Sequence, residues 1–320
     1  MPADKVSSSD ATYFLGFDGG GTKTECVLAD SDGRIIARSV GGPSNPLRAG
    51  YMRAWFALSE AADLVLSRQK IGAGHIRGIC AGLGGAGRSG VARRAATFFE
   101  RSFPNANVRV TTDLEIALDA AFGSGEGIIL LAGTGSAAFG RGDGNKTARA
   151  GGRGPWFSDE GSAFDIGRRA FKAVVEAEES RGPETALSKR LFKWHQANDW
   201  DLLLDHVSKN ADEVFPKTFP LVAELAERGD AVSREILSAA ALALAKLAAC
   251  VVDQLGWHNR EIPVAKVGGV HGRSQFFDGA IDVELKKLLD RVRLVPLEMT
   301  PAEAAARMAA HFVRAEGNAA

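Results

Sequence analysis

The sequence has few of the residues on which small disulfide-bonded or zinc-binding domains depend. Its 320 residues include three cysteines, Cys26, Cys80 and Cys250, which are far apart and form no CxxC pair. This spacing offers neither a disulfide framework nor a zinc knuckle. Two of the cysteines lie in strand-like stretches and the third in a helix-like one, so we expect all three to be small buried apolar side chains.

The chain also lacks an excess of charge of either sign. Lys and Arg together number 39, as do Asp and Glu, so the formal net charge is zero. This balance indicates neither a nucleic acid nor a membrane surface as a partner. The N-terminal MPADKVSSSDA lacks the long apolar core of a secretion signal, and Lys246 interrupts the most apolar stretch, 236–256, which we interpret as a buried core helix. We therefore expect a cytoplasmic protein.

Glycine, in contrast, is abundant and concentrated in short runs. The chain has 37 glycines, and its hydrophobic content of 45 % is enough to fill the cores of two domains. One run follows the strand-like YFLGFD at 13–18, where Gly19–Gly21 allow the backbone to turn sharply and to present N–H groups to a phosphate. The alternative for this segment is an ordinary hairpin turn with an acid, Asp18, at its edge.

A pattern of strand, Gly/Thr turn, strand, polar corner and strand occurs twice, in residues 12–40 and 125–152. Helical segments and strands alternate after each meander, which predicts a mixed α/β sheet in each half. The predicted helices are 52–69, 89–102, about 160–178, 185–196, 216–228, 232–255 and 301–316, and the later strands are 76–83, 107–113, 262–269 and 292–296. Two such halves facing each other would bring both Gly/Thr turns to one cleft, where ligands commonly bind.

Three short motifs, FDGGGTKT, LAGTGSAA and VGGV, resemble the two phosphate motifs and the adenosine motif of the actin/Hsp70/sugar-kinase superfamily. Within it, GGRGPWFSDEGSAFDIG at 151–167 resembles the GGxGxxxxDEGS signature of N-acetylglucosamine kinases and the related BadF/BadG/BcrA/BcrD ATPase group. The resemblance spans residues 13 to about 313. It implies a two-lobed actin-like ATPase (ribonuclease H-like) fold, a duplicated βββαβαβα unit with a central cleft. The small lobe would be 1–113 plus 301–320, and the larger lobe 114–300.

The activity that the resemblance implies is transfer of phosphate from ATP, with Mg²⁺, to the 6-hydroxyl of N-acetyl-D-glucosamine. Asp18 would hold Mg²⁺ through water, a role compatible with capping the turn. A hydroxyl from Thr22 or Thr24 would assist at the phosphate, and Lys23 either reaches the phosphate or is a solvated hairpin lysine. The predicted ATP-binding residues are Gly20, Gly21, Thr22, Lys23, Gly133, Thr134, Gly135, Gly268 and Gly269.

On the sugar side, Asp113 closes the predicted strand VRVTTD, and a helix opens after it at Leu114, a position typical of an N-cap. The resemblance implies that it is also the catalytic base that accepts the proton of the attacking sugar hydroxyl. Asp159 and Glu160 are either acids that complement a helix dipole or sugar ligands, since a carboxylate accepts two hydroxyl protons. The predicted substrate-binding residues are Asn45, Gly84, Gly85, Asp113, Gly152, Arg153, Asp159 and Glu160.

Some positions depart from the pattern or allow two interpretations. Asn45 either binds the sugar or is a turn residue before Pro46. Arg153 stands where vertebrate-like members carry tryptophan, and Trp156 and Phe157 either provide an aromatic wall for the sugar or pack the loop. Alanines replace a Gly-Ala pair within 296–309, which leaves the choice between N-acetylated and free amino sugar open.

Several other functions compete with this one. The same chemistry on glucosamine or another hexose is the nearest. An activator ATPase of the BadF type would need closely placed thiolates for an iron–sulfur cluster, which three separated cysteines do not supply. A sugar-sensing regulator without catalysis would not require Asp18 and Asp113, so the presence of both acids argues against this function. The partners expected are a small sugar and, by the resemblance, a second copy of the chain in a homodimer, with no nucleic acid and no membrane.

Overall fold

A computed structural model of the protein describes residues 11–317, so the predicted leader before residue 11 lies outside the described residues. The chain forms two compact units, one of residues 11–125 and 297–317 and the other Glu126–Pro296. The first boundary therefore falls after the helix that begins at Asp113, whereas the predicted lobe boundary precedes it. The helix stays with the first unit because it packs on strands and on the C-terminal helix of that unit.

The strands and helices follow the alternation that the sequence predicts. In chain order they are β1 (Tyr13–Gly19), β2 (Thr24–Ala29), β3 (Ile35–Gly41), α1 (Pro46–Ala49), α2 (Tyr51–Gln69), β4 (Ile76–Leu83), α3 (Ser89–Ser102), β5 (Asn107–Thr111), α4 (Asp113–Phe122), β6 (Gly127–Ala132), β7 (Ser136–Arg141), β8 (Thr147–Gly151), α5 (Ala163–Glu178), α6 (Leu187–Trp194), α7 (Trp200–Glu227), α8 (Ala231–Leu255), β9 (Ile262–Val267), α9 (Gln275–Leu288), β10 (Val292–Val295) and α10 (Pro301–Gly317).

Each unit contains one five-stranded mixed sheet, and the two sheets have the same topology. The strand order is β3-β2-β1-β4-β5 in the first and, written in the equivalent direction, β8-β7-β6-β9-β10 in the second. In both sheets the first three strands form the antiparallel meander, and the remaining two add in parallel to the first strand. This equivalence confirms the predicted duplication.

Both faces of the first sheet are covered. Leu15 and Phe17 of β1 pack in one core with residues of α2 and α3, whereas Phe14 packs in a second core with alanines of α10. A strand buried on both faces is a central strand, which is why β1 is apolar almost without interruption. The alanines of α10 are buried against this sheet.

Three predictions about individual elements are wrong in detail. Helix α7 begins at Trp200 instead of 216. Its backbone is non-helical at Asn210, and Pro216 and Pro220 lie inside the helix after this break. Strand β5 ends at Thr111, two residues before the predicted end. Cys250 is exposed on α8, whereas Cys26 and Cys80 are buried as expected.

Helix α8 is long and apolar enough, by length and composition alone, to cross a membrane. Half of its most apolar 18-residue window is nevertheless buried inside the structure, where Leu237, Leu244 and Val251 join the core of the second unit. This packing agrees with the predicted core helix.

Candidate active site

Three parallel strands of the first unit end side by side, and the predicted Mg²⁺ residue Asp18 and the predicted base Asp113 lie at that edge. In the register of the sheet, Asp18 of β1 is opposite Gly82 of β4, which is opposite Thr111 of β5. The carboxyl ends of parallel strands are where α/β sheets bind ligands. Asp18 and Asp113 are therefore brought to one edge from positions that are far apart in the sequence.

Asp18 occupies an environment that resists ionisation. Burial is the main cause that raises the pKa of its carboxyl group to about 7, and the nearby acids Asp113 and Glu25 raise it further, whereas Lys23 lowers it. A carboxylate held among other acids is stabilised by a cation, which relieves both the burial and the repulsion. The electrostatics of this edge thus favour a bound cation next to Asp18.

The glycine hairpin between β1 and β2 is a tight turn with an exposed tip. The N–H of Gly20 donates to the carbonyl of Lys23 at 3.0 Å, so this donor is already engaged inside the hairpin. Thr22 and Lys23 are exposed at the tip. Thr24 is fully buried, and its hydroxyl donates to the carbonyl of Gly42 at 2.7 Å, which makes Thr24 a structural residue and leaves Thr22 as the candidate hydroxyl.

The segment after β3 packs directly against the hairpin. The carbonyl of Gly20 accepts hydrogen bonds from the N–H groups of Ser44 and Asn45, at 3.1 and 3.0 Å. Asn45 is the N-cap of α1, and its Oδ1 accepts from the N–H of Leu47 at 3.0 Å. Asn45 therefore has the turn role that the sequence allows, in which its Oδ1 caps α1. Its amide nitrogen Nδ2 takes no part in this cap.

That amide nitrogen lies against the loop after β4. A Cβ at Gly84 would be 3.0 Å from Nδ2 of Asn45, and the N–H of Gly84 donates to the carbonyl of Gly19 at 2.8 Å. Gly85 follows with a positive φ of 88°. The structure therefore brings together the glycine hairpin, Asn45 and the Gly84–Gly85 loop, three features that the sequence analysis predicted separately.

Asp113 is the first residue of α4 and is not its N-cap, which corrects the sequence prediction by one position. Thr112 is the N-cap, and it forms a capping box with Glu115. Burial raises the pKa of Glu115, but hydrogen bonds from Thr111 and Thr112 outweigh it and hold the pKa below its usual value. Because Thr112 carries the capping, Asp113 is fixed at the helix start without performing that function itself.

The hairpin between β6 and β7 in the second unit lies against an acid from the signature segment 151–167. The N–H of Gly133 donates to the carbonyl of Gly135 at 2.9 Å, which closes the turn around Thr134. A Cβ at Gly135 would be 2.8 Å from Oδ2 of Asp159, which is 4 % exposed and has a positive φ of 66°. Asp159 thus lies next to the predicted phosphate turn, a contact that the sequence analysis did not foresee.

Gly268 and Gly269 lie beside the same hairpin, at the end of β9. Strands β6 and β9 run parallel with Leu131 opposite Val267, so their carboxyl ends meet. A Cβ at Gly133 would be 3.7 Å from the N atom of Gly269. The predicted adenosine motif and the predicted second phosphate motif are therefore neighbours within the second unit.

The loop from Gly152 to Glu160 exposes several of its side chains. Phe157 is 87 % exposed and Trp156 71 % exposed, so the loop-packing interpretation is wrong for Phe157, while Trp156 keeps one edge contact with Phe164. Arg153 and Glu160 are also exposed. The backbone carbonyl of Glu160 accepts from the hydroxyl of Ser136 at 2.7 Å, which ties the loop to the hairpin at β7.

Three supporting residues were missed by the sequence analysis, and a recognisable pattern was available for two of them. Thr112 and Glu115 have the Thr-x-x-Glu spacing of a capping box. Ser44 is fully buried after two glycines, and its hydroxyl has no hydrogen-bond partner within residues 11–317. No short sequence pattern would have identified Ser44.

Comparisons with known proteins agree with this arrangement. A profile of the BadF/BadG/BcrA/BcrD ATPase family matches residues 15–293. The N-acetylmuramic acid/N-acetylglucosamine kinase of Clostridium acetobutylicum is 29 % identical over 262 residues, 81 % of this chain and 85 % of that protein. The N-acetyl-D-glucosamine kinase of Dictyostelium discoideum is 28 % identical over 309 residues, 92 % of this chain and 97 % of that protein.

A solved structure shares the fold. The crystal structure of a Chromobacterium violaceum protein, whose assignment as an N-acetylglucosamine kinase is itself provisional, superposes with a TM-score of 0.77 and 26 % identity. It covers 93 % of this chain, and this chain covers 99 % of it. The predicted α/β fold of the sugar-kinase type is confirmed.

Proposed function

The chain belongs to the BadF/BadG/BcrA/BcrD ATPase family, and from this premise we propose that it is an ATP-dependent kinase that phosphorylates the 6-hydroxyl of N-acetyl-D-glucosamine. The observation that carries the proposal is the edge of the first sheet, where the register of β1, β4 and β5 brings Asp18 and the chain leading into Asp113 to the same end of the strands. Phosphoryl transfer requires positioned acids and phosphate-binding turns of this kind. Curated relatives with the same activity support the choice of sugar.

Asp113 is the proposed catalytic base. It is half-buried at the first turn of α4, where the capping box of Thr112 fixes the backbone, and its Oδ1 accepts from the N–H of Leu114 at 3.1 Å. Its carboxylate would accept the proton of the 6-hydroxyl as that oxygen attacks the γ-phosphate. Asn45 and the backbone at Gly84 and Gly85 would orient the sugar ring at the same sheet edge.

Asp18 suits a role toward Mg²⁺. Among residues 11–317 no group of three or more His, Cys, Asp or Glu side chains is placed to hold a metal ion. Mg²⁺ in kinases usually takes one or two carboxylates and completes its shell with water and phosphate oxygens. Asp18 fits this ion, because its partly buried carboxylate is repelled by the nearby acids Asp113 and Glu25. When bound with ATP, Mg²⁺ neutralises the charge of the phosphates. Gly21, Thr22 and Lys23 at the hairpin tip would contact the transferred phosphate.

The second unit would supply the remaining contacts. We assign the nucleotide phosphates to the turn of Gly133, Thr134 and Gly135, and the adenosine to the exposed backbone at Gly268 and Gly269. The remaining sugar contacts are assigned to the signature loop, at Gly152, Arg153, Asp159 and Glu160. Because Asp159 lies against Gly135, binding at the phosphate turn and at the sugar would be coupled through one carboxylate.

A panel of sugars assayed for ADP release and for sugar phosphate tests this function. We expect N-acetylglucosamine to give the highest kcat/KM, followed by glucosamine and other hexoses. Highest turnover with glucosamine would change the substrate while keeping the enzyme class. ATP hydrolysis that is independent of sugar, with no sugar phosphate formed, would contradict the proposal and favour an activator ATPase.

Asp113→Asn tests the base directly. The variant should bind ATP as tightly as the wild type and lose about 10²–10⁴-fold in kcat, the usual contribution of a positioned general base. Asp63→Asn, at an exposed position of α2, is the matched control and should be unaffected. Unchanged kcat in Asp113→Asn would exclude this residue as the base.

The cytoplasmic location and the homodimer stay predictions. Light scattering after gel filtration would test the homodimer.

A further inference from the structure

A cavity in the first unit contains none of the residues assigned to the kinase reaction. It lies between α2 and α3 and has a volume of about 530 Å³, within the range of pockets that bind small molecules. Its lining residues are Tyr51, Trp55, Arg93, Arg94, Thr97, Phe98, Arg101 and Ser102. The combination of aromatic rings with several cations distinguishes this cavity from the apolar interior behind it.

The aromatic wall of the cavity is rigid. The rings of Trp55 and Phe98 stack with centroids 5.3 Å apart and planes 13° apart, and both pack against the core of the first unit. Tyr51 lies 5.6 Å from Trp55 by ring centroids. Aromatic faces fixed in this way offer a flat surface against which another ring can stack at little cost in conformational entropy.

The cations of the cavity are close together and have no acidic partner. Arg93, Arg94 and Arg101 all come from α3, and none of them forms an ion pair within the described part of the chain. The guanidinium of Arg94 lies over the ring of Tyr51, 4.7 Å from its centroid. Guanidinium groups bind phosphate through paired N–H donors, and a multiply charged anion would relieve their mutual repulsion.

We propose that this cavity binds a phosphate ester of a ring compound, a sugar phosphate or a nucleotide, at a site separate from the kinase reaction. The phosphate would be held by Arg93 and Arg101, and the ring would lie on the surface of Trp55 and Tyr51. The hydroxyl groups of Thr97 and Ser102 add hydrogen-bonding capacity to the same wall. The inference goes beyond the proposed kinase activity, because it assigns a second ligand to this chain.

The position of the cavity links it to the loops of the reaction site. Helix α2 begins at Tyr51, directly after α1 and its N-cap Asn45, and α3 begins at Ser89, directly after the Gly84–Gly85 loop. A ligand that pulls α2 and α3 together would therefore act on both loops that we assign to the sugar. This connection makes the site suited to an effector of the enzyme.

Calorimetric titration of the full chain with inorganic phosphate, N-acetylglucosamine 6-phosphate and ADP tests the proposal. The last two also bind the proposed reaction site, so the cavity is measured as the difference between the wild type and Arg93→Ala/Arg101→Ala. We expect the wild type to bind a second equivalent of one or both ring phosphates. The affinity for this second equivalent should be at least tenfold lower in the double variant, and it should fall at high salt. The ligand that fills this second site identifies its source as sugar phosphate or nucleotide.

Two controls keep the outcome interpretable. Arg34→Ala/Arg53→Ala removes the same charge at exposed positions outside the cavity and should keep the second equivalent. Trp55→Leu removes the stacking surface and should weaken the binding of the ring phosphates more than the binding of inorganic phosphate. Thermal unfolding checks that this variant is folded. Identical titrations of the wild type and Arg93→Ala/Arg101→Ala for all three probes would overturn the proposal. An equal loss of affinity for the ring phosphates and for inorganic phosphate in Trp55→Leu would also overturn the proposal.

Discussion

Replacing Gly268 by alanine should destabilise the second unit while the same change at Gly269 should not. Gly268 has a φ of 111°, a conformation that L side chains rarely adopt, and its Cβ would overlap the carbonyl oxygen of Ala132 and lie 2.7 Å from the carbonyl carbon. Backbone atoms of β6 cannot rotate away as a side chain would. The strained φ costs about 1–3 kcal/mol, and forced overpacking adds about 1–3 kcal/mol.

We therefore expect Gly268→Ala to lower the free energy of unfolding by about 2–6 kcal/mol, the sum of these two costs. Gly269→Ala is the matched control, because a Cβ there would have no heavy atom within 4 Å. Its stability should stay within about 0.5 kcal/mol of the wild type, as for ordinary surface changes. Urea titration followed by circular dichroism measures both variants.

The same pair of variants separates folding from nucleotide binding. If adenosine lies against the backbone at Gly269, the added methyl group should raise the KM for ATP in Gly269→Ala without changing the unfolding midpoint. A Gly268→Ala protein as stable as the wild type would refute the steric reasoning. An unchanged KM for ATP in Gly269→Ala would refute the assignment of the adenosine motif while leaving the fold argument intact.

Three further predictions concern the acids and the second hairpin. Because the pKa of Asp18 is raised to about 7 from 3.8, its ionisation destabilises the folded protein as pH rises from about 4 to 7. Asp18→Asn should therefore be more stable than the metal-free wild type at pH 8, by about 4 kcal/mol, with the difference vanishing near pH 4 in thermal unfolding; a difference independent of pH would contradict this. Thr112→Ala should lose about 1 kcal/mol of stability and lower kcat by displacing Asp113, with Thr112→Ser as the control; full activity would show that the cap does not position the acid. Gly135→Ala, whose Cβ would meet Oδ2 of Asp159 at 2.8 Å, should lower the free energy of unfolding by about 1–3 kcal/mol and raise KM for both ATP and sugar; an effect on ATP alone would argue against coupling through Asp159.

The fold could be predicted from the sequence wherever the local pattern was unambiguous. Both meanders have apolar strands separated by glycine turns and polar corners, and their strands lie within a few residues of the predicted ranges. Helix α7 was predicted only over 216–228, whereas it begins at Trp200 and continues past one non-helical residue, Asn210. Cys250 was predicted to be buried because it lies in the most apolar stretch of the sequence, and only packing shows which face of α8 meets the core.

The candidate residues could be predicted from the family motifs, but their physical relations could not. No sequence pattern indicated that Asp18 and Asp113 repel one another, since the register of three strands brings them to one edge. The contact of Asp159 with Gly135 and the stacking surface between α2 and α3 were equally inaccessible from the sequence. Each depends on which helix or loop packs against which strand.

The sequence by itself determined the alternation of strands and helices, the two glycine turns and the set of acids, because hydrophobic periodicity and backbone freedom are local properties of the chain. The tertiary structure decided which acids share an environment, which glycines have no room for a side chain, and where arginines without an ion pair meet partly buried aromatic rings. These properties follow from distances between residues that are remote in the chain, and such distances are set by the pairing of the strands and the packing of helices on the sheets.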